Sequence, residues 1–126
     1  MSRNLYAIVP DGGGRGIEWG DVTMYDEISV ASHRLAFLAL HKIKRLLRDG
    51  VSFDELTVPR YSNHRIEEYS MDRNHMFVSM NSYRIDDIHS ILKQWHSQNL
   101  GLTLLQVVEY AFVHTDNLIQ CVKLVC

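Results

Sequence analysis

Polar and apolar positions change period several times along the chain. The stretch Asn4–Pro10 holds a short apolar run, LYAIV, closed by a proline, which predicts a strand. Ile17–Tyr25 mixes β-branched and aromatic residues around an internal glycine, which predicts a second strand bulged at Gly20. Between them lies DGGGRG, and its glycines supply the positive φ that a hairpin turn needs. Phosphate-cradling loops are glycine-rich too, but they lead into a helix N-terminus. Here a strand pattern follows, with neither GxxxxGK[ST] nor GxGxxG. The functional reading that remains is a flexible loop of Gly12, Gly13, Gly14 and Arg15, whose arginine could close over an anionic ligand.

After Asp26 the period becomes helical. From Ser32 to Arg48, residues Leu35, Ala36, Ala39, Leu40, Ile43, Leu46 and Leu47 recur on one face. Ser32 as N-cap, Lys44, Arg45 and Arg48 near the end, and Gly50 beyond it mark the boundaries. Leu56–Tyr61 reads as a short extended piece, with Pro59 favouring an edge or a turn. His64–Tyr69 fits more than one element, and His75–Met80 predicts a strand. A second helix is expected over Ser82–Gln98 from Ile85, Ile88, Ile91, Leu92 and Trp95, with Asp86 and Asp87 at its positive end. Thr103-Leu-Leu-Gln106 resembles a capping box and opens a third helix toward His114, although its Val, Tyr and Phe also suit a strand. Leu118–Val125 reads as a returning strand. The expected fold is one α+β domain over residues 1–126, an antiparallel sheet of four to six strands with two or three helices packed on it.

Composition narrows the class. The chain has 126 residues, 46% apolar and 22% charged, ordinary values for one globular domain. No apolar run approaches the roughly 20 residues that span a bilayer, and the N-terminus lacks a secretory signal pattern. Cys121 and Cys126 are five apart, which places them on opposite faces of a strand, a poor geometry for a disulfide. Reduced thiols and a cytoplasmic protein without a membrane partner are expected. The seven histidines contain no HxH, HxxxH or HExxH. His89 and His96 are seven apart, about 10 Å along a helix and too far to chelate one ion. Neither a metal nor another cofactor is expected.

Charge is informative through its distribution. The net charge is −2, yet Val30–Arg48 carries five Lys/Arg and no acid. Opposite the apolar arc of the first helix lie Arg34, His41, Lys42, Lys44, Arg45 and Arg48, and Phe37 and Leu38 fall inside that basic arc. Arginine mixed with apolar anchors suits an interface; cover by another segment of the same chain is the plain alternative. A second constellation, RYSNHRIEEYSMDRNH, holds Arg60, His64, Arg65, Tyr69, Arg73 and His75. Arginine forks suit phosphate or carboxylate, and tyrosine rings suit base stacking; the plain alternative is a self-compensating polar loop. No GxSxG nucleophile motif occurs.

These features favour a small non-catalytic binding or inhibitory protein, of the kind phages and mobile elements carry. Its partner is expected to be anionic: a nucleotide, a nucleic acid or an acidic protein surface. Homo-oligomerisation through Phe37 and Leu38 or a sheet edge fits the same pattern. The competing expectation is a small enzyme acting on a phosphate ester or nucleotide through His64, His75 and neighbouring Arg and Tyr.

Overall fold

Alternation and helical periodicity resolve into a five-stranded antiparallel sheet with helices packed on it, the expected α+β architecture. The structure, a computed structural model, describes residues 4–10, 23–71, 74 and 76–125. In chain order the elements are β1 (Asn4–Pro10), β2 (Met24–Tyr25), α1 (Ile28–Arg48), α2 (Val58–Tyr61), β3 (His64–Met71), β4 (Phe77–Ile85), α3 (Ile88–Gln98), α4 (Leu104–Val113) and β5 (Val122–Val125). Short 3-10 turns lie at Phe53–Glu55, Thr115–Asn117 and Ile119–Cys121. The strand order is β2-β1-β3-β4-β5, so β3 is central.

Helix α1 is the axis of the main core. Ala31, Leu35, Ala36, Ala39, Leu40 and Ile43 are buried along it, and its alanines let it sit close to the sheet. Ile66 of β3, Ile85 of β4, Ile88 and Leu92 of α3, and Val108 and Ala111 of α4 join the same cluster. The far face of the sheet carries a smaller cluster of Ala7, Val9 and Tyr69, with Met24 against it.

Several boundaries differ from the sequence expectation. Helix α1 starts at Ile28 behind Glu27, and Ser32 is buried within it instead of capping it; tertiary packing of Ala31 and Leu35 overrides the local cap signal. Val58–Tyr61 is a helical turn, not an extended piece. Pro59 sits in its first turn, where a missing N–H breaks no bond, so Pro59 marks no sheet edge. His64–Met71 is the central strand. Ser82–Ile85 pairs with Val125–Val122 and belongs to β4. Ile85 fits a helical stripe by spacing, but Tyr83 and Ile85 alternate inward with Ser82 and Arg84. Helix α3 therefore begins only at Ile88.

The capping box at α4 forms as expected: Gln106 N–H donates to Thr103 Oγ1 at 3.2 Å, and Thr103 N–H donates to Gln106 Oε1 at 2.8 Å. Leu118–Cys121 turns as 3-10, so Cys121 is a buried free thiol on a turn, not a strand residue. Cys126 lies outside the described residues. Of the expected Ile17–Tyr25 strand, Met24 and Tyr25 pair with Ala7 and Tyr6, whereas residues 17–22 lie outside the described residues, as do Gly12, Gly13, Gly14, Arg15, Arg73 and His75. No described helix is long and apolar enough to cross a membrane.

Candidate functional site

The central strand places two adjacent glutamates on opposite faces of the sheet, as the period of a strand requires. Glu68 points to the helix side. Its carboxylate accepts from Asn4 Nδ2 at 2.7 Å, Asn81 Nδ2 at 3.0 Å, Tyr83 OH at 2.9 Å and, more weakly, Tyr6 OH at 3.4 Å. Glu67 points the other way and accepts from Arg65 Nε at 2.6 Å, Ser82 Oγ at 2.5 Å and Ser79 Oγ at 3.1 Å. Burial opposes ionisation of both carboxyls, but these hydrogen bonds outweigh it and hold both below the usual carboxylate range. The tyrosines respond in the opposite sense: burial, then the bonded Glu68 charge, raises Tyr83 to about 12. Glu68, with two donors on each oxygen, is a structural tie across β1, β3 and β4, and Glu67, with three donors, ties β3 to β4; neither is a free base.

A second polar chain links α2 to α3. Tyr61 OH lies 2.7 Å from His89 Nδ1, and His89 Nε2 lies 2.9 Å from Asp87 Oδ1. Asp87 caps α3 with φ of 23°, in the left-handed region that Asp tolerates better than most residues. Both ring nitrogens are committed and Tyr61 is only 2% exposed, so the chain pins α3 without offering a substrate a free face. The nearby Cys121 thiol is raised by burial first and by the Asp86 charge next, the opposite of nucleophile activation.

Free cationic capacity lies elsewhere. A cleft of about 160 Å³ opens between the N-terminal half of α1 and the β2–β1–β3 side of the sheet. Arg34 and Leu38 enter it from α1, His64 from the start of β3, Thr23 and Tyr25 from β2, and Ile8 from β1. Arg34 is exposed and its guanidinium sits 5.4 Å from the Phe37 ring centroid. Among the described residues neither Arg34 nor His64 has a carboxylate partner, whereas Lys44 pairs with Glu109, Arg60 with Glu55 and Arg65 with Glu67. Two cationic-type side chains, two hydroxyls and an apolar floor can hold a phosphate or carboxylate group. The volume is below that of a pocket for a whole drug-sized ligand, so the cleft grips one group of a larger molecule or one small anion. A hollow of about 280 Å³ between α3 and α4 is bigger, but Trp95, Gln98, Asn99, Tyr110 and Asn117 line it and no acid or base does; it has nothing to attract an anion.

The sequence candidates separate into groups. Arg34, Leu38 and His64 converge on the cleft. Phe37 is half-buried against α4, with Phe112 at 5.1 Å and His41 at 4.5 Å between ring centroids, so the same chain covers much of it. His41, Arg45 and Arg48 are exposed and Lys42 is half-buried along the remainder of α1. Arg60 sits on α2, away from His64 on β3. Arg65 and Tyr69 share the far face of the sheet with Glu67, where Arg65 also donates to Pro10 O at 3.2 Å. The Arg60–His75 constellation is thus not one surface: strand alternation divides it. Gly12, Gly13, Gly14, Arg15, Arg73 and His75 lie outside the described residues; the glycine-rich segment leaves from Pro10, paired with His64, and returns at Thr23. Ile8, Thr23 and Tyr25 are the cleft residues that spacing alone does not single out, because the fold brings them beside α1. No protein-family model matches the chain, and neither a curated protein nor a solved structure is detectably similar to it.

Proposed function

We propose that this protein binds an anionic ligand without turning it over, holding its phosphate or carboxylate group in the cleft of Arg34, His64, Tyr25 and Thr23. The observation that carries this reading is the pairing pattern of the bases: Arg34 and His64 share one cleft and lack an acid partner among the described residues. A guanidinium beside hydroxyls is a ready donor site for oxyanions, and its planar fork makes two charge-assisted hydrogen bonds at once. The exposed bases that continue along α1, Arg45 and Arg48, attract the rest of an anionic partner over a longer range. Binding of this kind fits a sequestering or inhibitory role.

The test is titration of the full chain with inorganic phosphate, followed through backbone amide resonances. Thr23, Tyr25, Arg34 and His64 should shift together and saturate. Arg34→Ala should weaken phosphate binding by about tenfold or more, the loss of one charge-assisted pair. Silence of all four resonances at millimolar phosphate would sink the reading.

A further inference from the structure

We infer that the outer edge of β4 pairs with the same edge of a second copy of this chain, antiparallel about a two-fold axis at Val78. This stands apart from the anion cleft, which lies on the opposite side of the sheet. Strand β5 covers β4 only from Ser82 to Ile85. Among the described residues, no strand pairs with the outer backbone edge of Phe77–Ser79. Backbone N–H and C=O groups on an open edge call for an extended chain as partner.

The side chains say which chain. Met76, Phe77, Val78 and Met80 are 63%, 42%, 45% and 56% exposed, and Leu124 and Val125 at the end of β5 are 51% and 43% exposed. The first four lie at the open stretch of β4, and the last two at the end of the neighbouring β5. The segment MFVSMNSY, Met76–Tyr83, contains no charge, proline or glycine, and so lacks the charges and prolines that keep edges apart. An uncharged apolar edge is complementary to itself. The strands of a two-fold pair run antiparallel, and self-complementary patches form closed dimers.

The register follows from the obstacles. Met80 is an extra residue between Ser79, which faces Tyr69, and Asn81, which faces Glu68. This bulge interrupts the edge on one side of Ser79. Strand β5 ends at Val125 opposite Ser82. Centring the pair on Val78 sets Phe77 against Ser79 of the other copy and Val78 against itself, and confines the paired stretch to residues ahead of Ser82, where the cover by β5 begins. Two five-stranded sheets then become one continuous sheet, with Phe77, Val78 and Met80 covered.

Sedimentation of the full chain across micromolar to hundred-micromolar concentrations should show a concentration-dependent shift from 14.6 kDa toward twice that mass. Val78→Lys places two like charges on the axis and should weaken the dimer at least tenfold, with an unchanged circular dichroism spectrum. Amide hydrogen exchange of the wild-type chain supplies a readout that does not depend on the variant: protection of Phe77, Val78 or Ser79 should rise with concentration. A chain that stays monomeric throughout, a dimer that Val78→Lys leaves intact, or edge amides indifferent to concentration overturns the inference.

Discussion

The acids of the central strand and the bases of the cleft meet opposite fates. Glu67 and Glu68 are 8% and 6% exposed, and each carboxylate is bonded by three or four side chains. Arg34 is exposed and, with His64, has no acid opposite it among the described residues. A buried charge must be fully satisfied or it unfolds the chain. An exposed charge stays unsatisfied by protein at little cost, because water serves it. The difference separates groups that hold the fold from groups left free to hold something else. No described buried side-chain nitrogen or oxygen lacks a partner, so unused capacity lies on the surface.

The most damaging way to break the contrast is to remove an acid. Glu68→Ala strips the common acceptor from Asn4, Tyr6, Asn81 and Tyr83 and leaves part-buried donors unpaired. We expect a loss of about 3 kcal/mol, read as a lower urea midpoint at unchanged slope. A midpoint within error of the wild type would show that these donors find other partners. Acid should reproduce part of that loss. Both carboxyls are held below their ordinary 4.5 in the fold, so the unfolded chain binds the protons first. Their contribution is fully present above pH 4.5 and drains away as pH falls through the lower, folded values. Urea midpoints measured between pH 7 and pH 3 should therefore fall on the acid side, with a shallower fall in Glu68→Ala.

Phe37 tests the boundary between the two regions, because it lies in the basic arc yet packs on α4. Its ring meets Phe112 and His41 edge-on and underlies Arg34. Half-burial predicts about 2 kcal/mol lost in Phe37→Ala, less than for a fully buried ring. Phosphate affinity should change far less than in Arg34→Ala. A variant with full stability and lost binding would move Phe37 from the packing to the binding surface.

What the sequence makes legible follows from the range of the interactions. The apolar stripe of α1, the capping box at Thr103 and the strand at Asn4–Pro10 are local patterns, and the structure carries all three. The start of α3 is not local: Ser82–Ile85 fits a helical stripe, and only pairing with Val122–Val125 fixes it as strand. The same reason hides the tie around Glu68. Asn4, Tyr6, Glu68, Asn81 and Tyr83 come from three strands, and nothing in the IEEY stretch announces a buried carboxylate. Arg34 and His64 were both visible as candidates, but their convergence depends on the register that pairs Pro10 with His64. Arg65, one residue on from His64, looks equally suited to an anion and is turned to the far face, where Glu67 already occupies it.

Arg34 should show the smallest effect on stability. Its guanidinium has no carboxylate partner among the described residues, and its contact with Phe37 is an exposed cation–π approach at 5.4 Å, worth about 0.5 kcal/mol. Arg34→Ala should therefore leave the urea midpoint almost unmoved while weakening phosphate binding. That dissociation is the signature of a side chain kept for a ligand. A residue of the opposite kind, such as Glu68, costs the fold more than it costs any partner. If Arg34→Ala destabilised the chain as strongly as Phe37→Ala, the guanidinium would belong to the α1–α4 packing, and the contrast between tied acids and free bases would lose its clearest member.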